Sequence, residues 1–176
     1  MAEPTATLRE FLVRTPFFGG LTEGALDRVI GMLRERTYQP GEIVFSENES
    51  GRSMYVIASG DIVMTRGGRG CQVRLFHLRT GDFFGETTLI EMHPRPYTAR
   101  VEVPTLLFEL TNMDLYKLYR DDIHAYVMVL QNINRELCRR LRTADGRITE
   151  IAEEYGDEGT QMTAPRSTQG LPPLRR

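Results

Sequence analysis

GDFFGETTLIEMHPRPYTARV, Gly81 to Val101, is the stretch whose reading decides the fold. Two adjacent phenylalanines and a glycine lead into an acid and a short apolar run. A Pro-Arg-Pro loop follows, and Tyr97 to Val101 then alternates along a strand. Gly85 has no side chain, so the backbone there approaches a neighbour closely. Thr87, Thr88 and Leu89 open a short helix, whose free N–H groups and dipole favour an anion such as a phosphate. An acid beside an anion needs a separate task. Glu86 is placed to accept a hydrogen bond from a hydroxyl; the plainer reading is a helix-start acid that complements the dipole.

On either side the sequence has period two. EIVF, MYVIAS, DIVMTR, CQVRLFHL, TARVEV and TLLFEL are short segments rich in β-branched and aromatic residues. Turn residues separate them: Pro40-Gly41, Ser59-Gly60-Asp61 and Gly67-Gly68, the last two read as tight hairpins. Evenly spaced short strands of this kind predict a sandwich or barrel. Phe17, Phe18, Phe45, Phe76, Phe83 and Phe84 are assigned to the core.

Helices bracket the strands. TLREFLVRTPFF forms a short helix stopped by Pro16. Thr22 caps a second, with Leu26, Val29, Ile30 and Leu33 on its buried face. Thr111 or Asn112 caps a third through Leu115 and Leu118. A long helix follows, in which Ile123, Val127, Leu130, Asn134, Leu137, Leu141, Ala144, Ile148, Ile151 and Tyr155 are spaced alternately by four and three. That is a heptad seam. The first turns, around Ile123 and Val127, are expected to lie on the domain, and the later ones to form a coiled-coil homodimer through Leu130, Asn134, Leu137 and Leu141. Asn134 would fix its register. Thr-Ala-Asp-Gly at 143–146 could equally end the helix. Arg139, Arg140 and Arg142 are assigned to a solvated face. The organisation is thus a helical segment over 1–21, a β-domain over 22–122, a long helix over 123–155 and, from its Gly, Thr, Pro and Ser content, a disordered tail over 156–176.

Composition narrows the function. The chain has 176 residues and a formal net charge of −2, which argues against a strongly basic nucleic-acid surface. No apolar run is long enough for a membrane span, and the N-terminus lacks an export pattern. Cys71 and Cys138 are expected as reduced thiols of a cytoplasmic protein. His77, His93 and His124 do not cluster at metal-ligand spacing. No nucleophile, base and orienting group recur together, so no enzyme is expected.

In their order, two helices, QPGEIVFSENESGRSMYVIASGDIVM (residues 39–64), GDFFGETTLI, YTARV and a long helix resemble the cyclic-nucleotide-binding domain. This is the regulatory module of catabolite activator proteins, of the protein kinase A regulatory subunit and of certain ion channels. The resemblance covers about residues 10 to 145. It implies a mainly β fold with flanking helices: a double-stranded β-helix, or jelly-roll β-roll, with a phosphate cassette between two strands and a long C-terminal helix that acts as lid and dimer contact. The ligand, cyclic AMP or cyclic GMP, would meet Phe84, Gly85, Glu86, Thr87, Thr88, Tyr97, Thr98 and Ala99, with Glu86 on the ribose 2′-hydroxyl. The family's small-residue triplet falls on Thr98, Ala99 and Val101.

The resemblance puts Tyr97 where the family has a phosphate-binding arginine, just before Thr98-Ala99. Strand parity places Tyr97 inward with Ala99, Val101 and Val103. Its hydroxyl donates one hydrogen bond but carries no charge. Arg95, in a loop slightly longer than the family's, is the candidate replacement; Arg100 has the wrong parity and His93 is weaker. No other cofactor is implied. The expected function is a stand-alone sensor that signals to an effector protein through its last helix. The residues after that helix are too few for a helix-turn-helix, so direct DNA binding is not expected. Two rivals stand beside it: a dimeric scaffold that binds no cyclic mononucleotide, and a sensor of another ligand such as a cyclic dinucleotide.

Overall fold

Among the described residues from Arg34 to Thr111 the chain is strand and turn, interrupted by one short helix. In the computed structural model, which describes residues 4–68 and 71–155, α1 (Pro4–Arg14), a 3-10 turn (Pro16–Phe18) and α2 (Glu23–Met32) come first. They lead into β1 (Arg34–Tyr38), β2 (Ile43–Phe45), β3 (Ser53–Ser59), β4 (Asp61–Gly67), β5 (Gln72–Arg79) and β6 (Phe83–Phe84). Then come α3 (Glu86–Glu91), β7 (Thr98–Val101), β8 (Thr105–Thr111), α4 (Asn112–Asp121) and α5 (Ile123–Tyr155). All strand pairs are antiparallel, in two four-stranded sheets ordered β1-β8-β3-β6 and β2-β7-β4-β5. This is the jelly-roll β-roll with flanking helices and a long last helix. The chain forms two units, Met1–Leu137 and Cys138–Arg176, and the boundary falls within α5. Each unit is described by itself. The segment 156–176, expected to be a disordered tail, lies outside the described residues.

In the first sheet β3, β6 and β8 are buried on both faces, which explains their apolar runs. In β3, Met54 and Val56 face a cluster formed with Leu12, Phe17, Leu26, Val29, Leu115 and Leu118 of the helical segments. Tyr55 and Ile57, pointing the other way, join Phe45, Ile62, Met64, Ala99 and Val101 inside the roll. β6 divides likewise: Phe83 faces the helices, and Phe84 faces the interior. Each such fully buried side chain contributes about 1.5–3 kcal/mol.

Several sequence expectations change. Ser59-Gly60-Asp61 is a corner, not a hairpin, because β3 and β4 belong to different sheets. Gly60 is required there: φ is +105°, and a Cβ would lie 2.1 Å from Thr105 Oγ1. Gly67-Gly68 does close the β4–β5 hairpin, with Gly68 N–H donating to the Cys71 carbonyl. β1 gave no period-two signal because RERTY is an exposed edge strand, held by backbone pairing to β8. Val103 is exposed, since β7 ends at Val101 and parity lapses beyond it. Phe76 is only half-buried. Thr22 caps α2 as expected. Thr111 caps α4 in a reciprocal box with the buried Asp114. Cys71 and Cys138 are free and exposed.

In the first unit α5 turns a different face to the domain from the one anticipated. Ala125, Val129 and Ile133 are buried in the helical cluster, whereas Ile123 and Val127 are exposed. Two residues are about 200° apart around a helix, so these are opposite faces. Leu130 and Leu137 pack partly on the cluster, and Asn134 is exposed. The buried amide is Asn132. Its Nδ2 donates to the carbonyls of Phe17 (3.0 Å) and Gly19 (2.8 Å), while Arg135 donates to its Oδ1 at 2.7 Å. In the second unit the helix continues through Gly146 to Tyr155, and Leu141, Ile148 and Ile151 are exposed.

Candidate cyclic-nucleotide site

The site is assembled from β6, the start of α3 and the loop before β7. Gly85 is the N-cap of α3, at φ +83°. A Cβ there would meet Arg95 Nη1 at 2.7 Å and the Ser53 carbonyl at 3.2 Å, so glycine serves both conformation and space. Glu86 and Thr88 of α3 are buried, and Thr87 is half-buried.

Arg95 is the centre of this arrangement. It is 3 % exposed. Nη1 donates to the Gly85 carbonyl at 2.9 Å and lies 3.4 Å from Thr88 Oγ1; Nη2 donates to the Ser53 carbonyl at 2.7 Å. Its guanidinium carbon stands 4.1 Å over the Phe45 ring, within cation–π range. Gly51 closes another side, where a Cβ would fall 2.3 Å from Nε. Nε itself is buried and finds no acceptor. The backbone is fixed as firmly: Arg95 N–H donates to the Glu49 carbonyl, and its own carbonyl accepts from Asn48, both at 2.8 Å. The Pro-Arg-Pro loop is thereby tied to the loop after β2.

The hydrogen bonds that hold this guanidinium run to neutral oxygens. Burial presses its pKa below the usual arginine value, opposed by Tyr55, Glu49, Glu86 and Glu109. Arginine stays charged regardless. A cation is therefore fixed at the first turn of α3, where N–H groups also point outward. Arg95, the candidate replacement, is the side chain brought to Gly85, whereas Tyr97 is half-buried two residues on. Arg95 stands at Gly85 through local pairing of its own backbone, with no swing of the loop. The linear motif hid this, because the three residues between Arg95 and Ala99 include two bulky ones.

The other candidates divide. Phe84 lies under the site, stacked on Tyr55 with ring centroids 5.3 Å apart and 5.8 Å from Phe45. Ala99 is fully buried, paired with Phe45 and Met64 across β2 and β4. The Thr98 hydroxyl accepts from Glu47 N–H at 2.9 Å, which anchors β7 to the loop after β2. Tyr97 is half-buried beside Phe76, edge to face at 5.3 Å. Arg100 is exposed and donates to the Gly41 carbonyl. His93 is exposed. Sequence reasoning missed Phe45, Gly51 and Ser53. Gly51 had a weak signal as a turn glycine, and Ser53 had none, because it acts through its carbonyl. Among the described residues no group of His, Cys, Asp and Glu could hold a metal ion, and no helix is long and apolar enough to cross a membrane.

A β-roll with a short helix and a buried arginine between strands defines a class. Residues 35–122 match the family model described as cyclic nucleotide-binding domain, and the chain belongs to that family. Among curated relatives, it is 29 % identical over 166 residues to the cyclic AMP receptor protein of Thermus thermophilus, covering 91 % of this chain and 73 % of that protein. It is 28 % identical over 160 residues to a cAMP-dependent protein kinase regulatory subunit of Mycosarcoma maydis, covering 90 % of this chain but 27 % of the relative. The chain thus spans only part of the length of these relatives. Among solved structures, the Thermus thermophilus catabolite activator protein superposes with a TM-score of 0.68 at 29 % identity, over 78 % of this chain and 63 % of that one. A cyclic nucleotide-binding domain from Methylobacillus flagellatus, at 17 % identity, gives a TM-score of 0.77 over 82 % and 84 % and supports the fold.

Proposed function

We propose that this chain is a regulatory module that binds a 3′,5′-cyclic mononucleotide at Gly85, Glu86 and Arg95 and passes the event to a partner protein through α5. The observation that carries the reading is the buried Arg95 guanidinium, caged by Gly51, Gly85 and Phe45 and held by neutral carbonyls. Burying a charge among neutral groups is costly, and an anionic phosphodiester offsets that cost. The first turn of α3 adds N–H donors, and Glu86 accepts from the ribose 2′-hydroxyl. The names of its relatives support a regulatory rather than a catalytic role. The scaffold reading rested on Tyr97, and loses that support with Arg95 beside Gly85.

α5 supplies the output. Its Ala125–Ile133 face packs on the cluster that also contains Phe83, the residue leading into the cassette. Ligand binding that shifts β6 and α3 therefore biases α5 between arrangements. Isothermal titration with cyclic AMP, cyclic GMP and a cyclic dinucleotide is the test. A cyclic mononucleotide should bind, and Arg95→Ala should weaken it by about 1.5–3 kcal/mol, the scale of a charge-assisted hydrogen bond. Binding by the dinucleotide alone, or no change on Arg95→Ala, would refute the reading.

A further inference from the structure

The inner face of the first sheet carries a carboxylate that the phosphate and ribose contacts do not use. β8 alternates: Phe108 and Leu110 join the helical cluster, whereas Leu107 joins the interior one. Parity puts Glu109 on the interior face with Leu107. The register sets it directly across from Tyr55 of β3, whose ring stacks on Phe84, the residue before Gly85.

Ser53 links this carboxylate to the guanidinium of the site. Its hydroxyl donates to Glu109 Oε1 at 2.8 Å, while its carbonyl accepts from Arg95 Nη2 at 2.7 Å. Glu109 and Arg95 are thus bonded to the same residue. Burial lowers the arginine's pKa, and the Glu109 charge is among those that oppose the fall. A carboxylate so placed is adverse to an anion site. It repels a phosphate, and it offers Arg95 an internal counter-ion instead.

Arg36 of β1 answers that charge. Its Nε donates to Glu109 Oε2 at 2.9 Å, and its Nη2 stands 2.8 Å from the same oxygen. Exposed ion pairs usually contribute little to stability. This pair is lopsided: the Arg36 side chain is 51 % exposed and that of Glu109 only 12 %. The carboxylate belongs to the roll's inner face, and its cation comes from the edge strand of the sheet.

Building on the site reading above, we infer that Arg36 sets the affinity of Arg95 for an anionic ligand: it holds the Glu109 carboxylate, which would otherwise turn to Arg95 and compete with a phosphate. Arg36 acts through Glu109 and Ser53, as a positioning residue.

Titration of the full chain and its variants with cyclic AMP and cyclic GMP tests this, with melting temperatures as a check on the fold. Arg36→Met keeps the apolar stem and removes the cation; it should weaken binding about tenfold. Arg36→Lys, which keeps the charge, should stay within a few-fold of the unaltered protein. Glu109→Gln should bind at least as tightly. The double variant Arg36→Met, Glu109→Gln should recover the unaltered affinity, which a merely structural role for Arg36 would not allow. If Arg36→Met binds normally, or the double variant stays as weak as Arg36→Met alone, the inference is refuted while the phosphate site stands. If the unaltered protein binds neither nucleotide, the site reading fails, and the role of Arg36 with it.

Discussion

At the scale of the residue, Arg95 owes its position to what its neighbours lack. Gly51 and Gly85 contribute no side chains, and the guanidinium fills the space between them while Phe45 closes a third side. Gly51→Ala is therefore expected to displace the guanidinium rather than unfold the protein, since the clash falls on a flexible side chain. Cyclic-nucleotide affinity should drop at least about tenfold, roughly the loss of one good hydrogen bond to a charged group. The melting temperature should stay within a few degrees. An alanine variant with native affinity would show that the cage does not set the arginine's place. The residue was legible in the sequence as a candidate, because an arginine between prolines near an FGE motif invites the question. Its partners were not, since two are backbone carbonyls and carry no identity that a sequence displays.

At the scale of the element, α5 carries two apolar stripes, and only one belongs to its own domain. Asn132 lies beside the domain-facing stripe, with both amide hydrogens and its oxygen bonded. Its Nδ2 bonds the carbonyls of Phe17, in the 3-10 turn Pro16–Phe18, and of Gly19 just after it, beside the apolar cluster around Phe17 and Phe18. Removing the amide strands buried carbonyls at about 1–3 kcal/mol. Asn132→Ala should accordingly lower stability by that amount in urea denaturation. Asn134→Ala, on the exposed side, should stay within about 0.5 kcal/mol for the monomeric fold. Equal effects would mean that the helix sits on the domain in another rotation. The heptad pattern picked Asn134 as the amide that matters, because periodicity registers every stripe on a helix without saying which neighbour covers it.

At the scale of the whole molecule, we propose that the heptad seam of the sequence, to which Val127 and Leu141 belong, forms a homodimer; Ile123 and Val127 in the first unit and Leu141 in the second are each exposed. Val127 is 43 % exposed and Leu141 62 %, so charges there should disturb an assembly and spare the fold. Val127→Asp combined with Leu141→Asp should convert a dimer into a monomer by light scattering, with the β-sheet circular dichroism unchanged. Leu137 is a poorer site for this test, because it also packs on the domain's cluster. A dimer that survives both aspartates would place the interface elsewhere.

The sequence by itself determined the class of fold, the order of the elements apart from β1 and β6, the cap at Thr22, the choice between Thr111 and Asn112 for the next cap, and the helix start after Gly85. These are local: alternation, turn chemistry and helix starts are written within a few residues of where they act. The two-sheet topology turned the corner at Gly60 from a hairpin into a crossing between sheets, and the backbone of Glu49 and Asn48 delivered Arg95 to Gly85. Only the tertiary structure decided these, along with which stripe of α5 is buried and which phenylalanine stays half-open. Each depends on groups far apart in the chain, and packing chooses among placements that local pattern leaves equal.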